Sequence, residues 1–141
     1  DVSNSGTTLT LNGGITSSAQ IAEHLVAVDG VMVGREAYHH PALMADWDAR
    51  FWGDGTAPVV DDAWRLALED RMLTYIEAQQ AAHGTPWTHI TRHMLGLWNS
   101  QPGARRWRQV WSDHHHKAQP AREVARLAHA ARVGSMAAAS G

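Results

Sequence analysis

The sequence predicts a chain in two parts: an α/β segment made of two strand–helix units of a parallel sheet, then an all-α segment of four helices. Three observations carry this reading. Two short β-branched or apolar runs, each ending in glycine, alternate with helix-like stretches over residues 8–52. The stretch "GDGTAP" at 53–58 interrupts that alternation. Beyond it no strand pattern returns, and apolar residues recur at helical spacing instead.

The elements follow in order. Residues 8–12, "TLTLN", form a strand that stops at Gly13-Gly14. Residues 16–26 form an amphipathic helix, with Ser/Thr at its start and Ile21 and Leu25 four apart. Residues 30–33 form a second strand, read as fully buried, and residues 41–52 form a helix opened by Pro41. Strand, helix, strand, helix with short connections is the grammar of a parallel sheet. After the linker, residues 59–83 form a long helix carrying Leu66, Leu68, Met72, Leu73 and Ile76, ended by Gly84. Residues 86–98 form the next, with Thr85 as its cap, then 102–116 and the alanine-rich 120–132. The last residues, "GSMAAASG", are expected to fray. Met32, Met44, Met72 and Met94 sit in apolar contexts and are read as core.

Two strands and their helices cannot cover both faces of a parallel sheet. The segment 1–57 is therefore expected to be an incomplete part of a larger α/β domain. The segment 58–133 is expected to be a small four-helix bundle, and 134–141 a flexible tail. The chain is expected to be the C-terminal piece of a longer protein.

Composition narrows the chemistry. Of 141 residues 44% are hydrophobic and 18% charged, a globular balance. Without cysteine there is no disulfide, no thiolate metal site and no thiol nucleophile or acid on this chain. No apolar run approaches the roughly 18 residues of a membrane span. The net charge of −2 hides a division. Residues 1–83 hold four arginines against twelve acids, and residues 84–141 hold eight basic residues against Asp113 and Glu123. A basic C-terminal half points to a polyanion on that side, or to no more than a solvated charge pattern.

Ligands of α/β folds gather at the carboxyl ends of strands. Asn12, Gly13 and Gly14 lie just past the first strand, where glycine lets backbone approach an anion closely. Gly34 and Arg35 lie just past the second, and arginine can fork two hydrogen bonds onto a phosphate. Two adjacent strand ends so equipped match the phosphate site after strands 7 and 8 of a (β/α)8 barrel. The alternative is a plain glycine turn, with Arg35 paired to Glu23 or Glu36.

In "QPGARRWRQVW" (101–111), Arg105 and Arg108 share one helix face while Trp107 and Trp111 share another. The tryptophans are read as core. The arginines are read either as a nucleic-acid backbone contact or as a solvated face. Arg92, Lys117 and Arg122 add charge nearby. Three consecutive histidines in "DHHHKA" (113–118) cannot share a helix face, and His89 and His93, four apart, lack an evident third ligand. No metal is expected.

"LNGGI", "VDGVMVGREAYHHP" and "ITRHMLGLWNSQPGARRWRQ", in that order, closely resemble the C-terminal portion of the tRNA-dihydrouridine synthases, specifically the A-type subfamily. The resemblance covers about residues 8–117. It implies a flavin enzyme: a (β/α)8 barrel holding FMN, a helical domain that helps clamp tRNA, and NADPH as reductant. Hydride would pass to the C5–C6 double bond of a D-loop uridine, with a cysteine protonating the other carbon. By motif, Asn12, Gly13, Gly14, Gly34 and Arg35 would bind the FMN phosphate, and Arg105 and Arg108 would contact tRNA. Arg92 and Lys117 join them on charge alone. The cysteine acid, and the lysine and histidine expected along the flavin, have no counterpart here, so no catalytic residue is assigned to this chain. The implied protein is a cytoplasmic monomer. Two other classes stay open: a non-enzymatic RNA-binding helical module, and a flavin oxidoreductase barrel acting on small molecules. "NGG" with "GR" argues against the first, and "GARRWR" against the second.

Overall fold

A computed structural model describes residues 6–141; the first five residues of the predicted segment 1–57 lie outside it. The chain divides into two compact units, one ending at Pro58 and one running from Val59 to Gly141.

The first unit is a strand–helix–strand unit followed by short helices. Strand β1 (Thr10–Asn12) pairs in parallel with β2 (Gly30–Met32), in the register Thr10 to Gly30, Leu11 to Val31 and Asn12 to Met32. The side chain of Asp29 accepts a hydrogen bond from the Leu9 backbone N–H at 2.9 Å and ties the strand starts together. Between the strands runs α1 (Ser18–His24), whose cap Ser17 accepts from Gln20 N–H as its sequence leads one to expect. Ile21 is buried. Leu25, read as its apolar partner, is instead 37% exposed.

Beyond β2 the sequence reading needs correction. The backbone turns helical at once: α2 covers Arg35–His39, where no helix was expected, and Arg35 opens it. The helix expected over 41–52 is a 3-10 turn at Pro41–Asp46 and then α3 (Trp47–Trp52). Ser18 of α1 holds this segment: its hydroxyl lies 2.8 Å from Asp46 Oδ1 and accepts from Trp47 Nε1 at 3.2 Å. Strand β2 is not fully buried. Val31 and Val33 line an open apolar cleft of about 430 Å³ with Ile21, Leu25, Trp47 and Phe51. Met32 and Met44, read as core, are more than 40% exposed, because a two-stranded sheet leaves its faces without a covering layer.

The second unit is helical. Helix α4 (Asp62–His83) starts three residues later than expected, where Asp61 caps it by accepting from Trp64 N–H at 2.8 Å, and ends at Gly84 with φ 67°. The helix expected over 86–98 is only α5 (Thr88–Thr91), and Thr85 is not its cap. Tight turns continue to Gln101, closed by i→i+3 bonds such as Met94 to Thr91 and Leu97 to Met94. Gly96, Pro102 and the positive φ of Ser100 prevent regular propagation there. The predicted helix 102–116 is α6 (Ala104–Ser112) plus a 3-10 turn at His114–His116. Finally α7 (Ala121–Ala139) runs well past Arg132. The expected tail is thus helical as far as Ala139, since alanines favour helix and Gly134 alone does not break it.

The core of this unit gathers Leu73 and Ile76 of α4, Trp87, Met94, Leu97 and Trp98 of the turns, Trp107 and Trp111 of α6, and Val124 and Ala128 of α7. Trp111 meets Trp87 and Trp107 edge-to-face, at centroid distances of 5.4 and 6.2 Å. Inside it sits a polar knot. Glu69 is 5% exposed and accepts from Trp98 Nε1 at 3.0 Å and Trp107 Nε1 at 2.9 Å. Arg132 is 2% exposed, lies 3.8 Å over the Trp98 ring and bonds Asp62 at 3.1 Å. Arg65 donates Nε–H to the Leu97 carbonyl at 3.0 Å. Each of these buried side chains has a polar partner, as burial requires, although Arg132 Nε–H itself has none among the described residues. No helix among the described residues is long and apolar enough to cross a membrane.

Candidate functional site

Parallel pairing sets the ends of β1 and β2 side by side, so the segments that leave them share one opening. A cleft of about 630 Å³ lies there, and its walls include Asn12, Gly13, Gly14, Gly34 and Arg35. All five residues singled out at the strand ends are brought together. Gly13 and Gly14 hold φ 119° and 68°, conformations that favour glycine, and a Cβ added to either would meet nothing within 4 Å. Gly34 differs: its φ is −100°, and an added Cβ would make only an ordinary contact with Met32.

The charge of the cleft is decided by who is already paired. Arg35 is exposed and has no hydrogen-bond or ion-pair partner among the described residues. Neither Glu23 nor Glu36 takes it. Glu36 also lines the cleft, but its carboxylate lies 2.8 Å from His40 Nδ1. A guanidinium that shares a cleft with two conformationally special glycines can receive an oxyanion on charge-assisted hydrogen bonds. Sequence reasoning missed Thr16 and His39, which also line this cleft. Helix α2, which carries His39 there, left no sequence signal beyond five residues of mixed type.

The second candidate surface is on α6. Ala104, Trp107 and Trp111 face the core, and Arg105 and Arg106 face solvent. Arg108, half-buried, bonds the side-chain oxygen of Asn99. Among the described residues Arg105 and Arg106 have no counter-ion. Arg106 had not been singled out, although "ARRWR" displays it. Asn99 had been given no role; it orients Arg108.

The rest of the basic half is sorted differently. Arg122 is neutralised by Asp70 at 2.8 Å and Glu77 at 2.6 Å, tying α7 to α4. Arg126 pairs with Glu123 on its own helix. Arg132 is consumed in the core. Arg92 directs its Nε–H toward the His89 carbonyl and His93 Nε2, at 3.2 and 3.3 Å. Lys117 is exposed, and with Arg92 it lines a separate small cleft. The histidines of "DHHHKA" organise around Asp113, which accepts from His115 N–H at 2.9 Å and pairs with His115 Nδ1 at 2.8 Å. These bonds hold its carboxyl below the ordinary aspartate value.

Comparison with known proteins agrees with the motifs. The family model described as dihydrouridine synthase matches residues 2–132. A protein named tRNA-dihydrouridine(20/20a) synthase from Salmonella typhimurium is 46% identical over 111 residues, 79% of this chain and 32% of its own length. Proteins of the same name from Vibrio vulnificus and Shewanella oneidensis are 44% and 45% identical, covering 78% and 86% of this chain and 32% and 35% of theirs. The chain spans about a third of the length of these curated relatives. Family model, relatives and the quoted motifs agree, and the chain belongs to the dihydrouridine synthase family.

Proposed function

We propose that this chain is the C-terminal part of an FMN-dependent tRNA-dihydrouridine synthase that reduces D-loop uridine with NADPH. The strand–helix–strand unit is then the last piece of a (β/α)8 barrel, and the unit from Val59 onward is the tRNA-binding helical domain. The observation that carries this reading is the single cleft that joins both glycines of "NGG" to an Arg35 without a partner. An RNA-binding module has no need of such a cleft. The half-covered Val31 and Val33 support the barrel, because strands of a closed barrel find their covering layers among neighbours.

The residues fit the phosphate end of FMN: a forked cation, two glycines with open space above them, and a neighbouring carboxylate already engaged by His40. When bound, FMN supplies the hydride chemistry. This chain's own residues hold and orient. Asn12, Gly13, Gly14, Gly34 and Arg35 would hold the phosphate dianion of the cofactor. Arg105 and Arg108, with Arg92 and Lys117, take phosphates of the tRNA backbone, so that a folded RNA is gripped while one base is withdrawn from its stack. Having no cysteine, the chain supplies no thiol acid. The working protein is a cytoplasmic monomer.

The test is a chimera in which this chain replaces the matching third of the Salmonella typhimurium relative. Dihydrouridine in tRNA recovered from cells lacking their own synthase is the expected result. A folded, flavin-bearing chimera that binds tRNA yet forms none would overturn the assignment. The chain by itself is expected neither to turn over nor to hold FMN tightly.

A further inference from the structure

On the helical unit, Arg92 and Lys117 reach one cleft of about 160 Å³ from two different segments, the turn after α5 and the end of the 3-10 turn after α6. Thr88, Thr91, Trp111 and Ser112 complete its polar and aromatic wall. Every hydrogen-bonding side chain in this wall can donate, and none is a carboxylate. The nearest acid in sequence, Asp113, is committed to His115.

One of the donors lacks an acceptor. Trp111 Nε1–H is buried and has no hydrogen-bond partner among the described residues. Beside it in the cleft wall stands Thr91, only 2% exposed. Buried polar groups are nearly always satisfied, so an unsatisfied donor beside two cations marks a place where an acceptor is expected. The volume equals that of about five water molecules, room for one phosphate group. Arg92 is preset, since its Nε–H is held by His89 and His93.

We infer that this cleft is a dedicated phosphodiester subsite, which grips a single backbone phosphate of the RNA and fixes its register against the helical unit. This deepens the tRNA-binding reading and rests on it. It differs from the α6 arginines in kind: Arg105 and Arg106 offer exposed charge, whereas the cleft gathers two cations, hydroxyls and an indole in one recess.

The experiment measures tRNA affinity of the full chain across a salt series for Thr91→Val, Lys117→Ala, their combination, and Arg105→Ala with Arg108→Ala. Thermal melts confirm that each variant is folded, with Thr91→Ser as a second hydroxyl-retaining variant. Thr91→Val is expected to weaken binding about five- to tenfold, Thr91→Ser far less. Lys117→Ala should lower the salt slope by about 0.7 to 0.9, the share of one phosphate. The double variant should lose less than the product of the singles, because both serve one group. If Arg105→Ala with Arg108→Ala weakens binding while Thr91→Val does not, the subsite is wrong and the tRNA reading stands. If no variant weakens binding, both fall.

Discussion

A Cβ on Gly103 would stand 2.4 Å from the backbone carbonyl oxygen of Arg132 and 2.6 Å from its Cγ. Gly103 opens α6 with φ 77°, so it meets two demands at once: a left-handed backbone and the absence of a side chain. The obstructing atom is backbone and cannot swing aside. Gly103→Ala is expected to cost about 2–4 kcal/mol, from left-handed strain and overpacking together. Urea denaturation measures it. A loss under about 1 kcal/mol would mean that α7 yields, and that the start of α6 is not fixed by this contact.

Glu69 provides a pH signature. Burial raises its carboxyl above the ordinary glutamate value, and the Trp98 and Trp107 N–H bonds and the Arg132 charge only partly oppose this. A folded-state value above the unfolded one means the folded chain keeps a proton that the unfolded chain releases. The stabilisation from that proton is complete below about 4.5 and declines as pH rises through the folded value. Glu69→Gln removes the titration. The stability of wild type relative to this variant is therefore expected to fall as pH increases from 4 toward neutrality, in denaturation run at several pH values. Glu69→Ala, which strands two buried indole N–H groups, is expected to lose about 2–4 kcal/mol.

The basic half divides into arginines that hold the fold and arginines left for a partner, and the two sets should respond oppositely. Arg105→Ala with Arg108→Ala is expected to lower the melting temperature only slightly, through the lost Arg108 bond to Asn99, and to weaken tRNA binding about tenfold or more at low salt with a flatter salt dependence. Arg122→Ala breaks the α7 link to Asp70 and Glu77, so it is expected to lower the melting temperature modestly and leave tRNA affinity intact. Equal loss of affinity from both would show that net charge, not the α6 face, attracts the RNA.

How much of this was legible in the sequence depends on the range of the cause. Helix ends written in local chemistry were readable: Gly84 after α4 and the Ser17 cap of α1 both stand where side-chain rules put them. The shared cleft was readable because two glycine-ended strands pair in parallel with their ends abreast. The turns after α5 were not, since Trp87, Met94, Leu97 and Trp98 reach the core at spacings that a helix would also allow. The core placement of Glu69 and Arg132 was invisible too. Their partners lie 29 to 70 residues away, and only folding reveals that a charge is paired. Arg122 looked like part of a nucleic-acid face for the same reason.

The sharpest test of the strand-end cleft separates the phosphate from the rest of the flavin. In the chimera with the relative, Arg35→Ala is expected to weaken FMN binding about ten- to a hundredfold, the loss of one or two charge-assisted hydrogen bonds. Arg35→Lys keeps the charge and loses the fork, so its affinity should fall in between. Riboflavin lacks the phosphate, and its affinity should be the same in all three proteins. Flavin fluorescence during titration reads both ligands. Were Arg35→Ala to weaken FMN and riboflavin equally, Arg35 would be supporting the local fold around α2, and the phosphate would have to be held elsewhere.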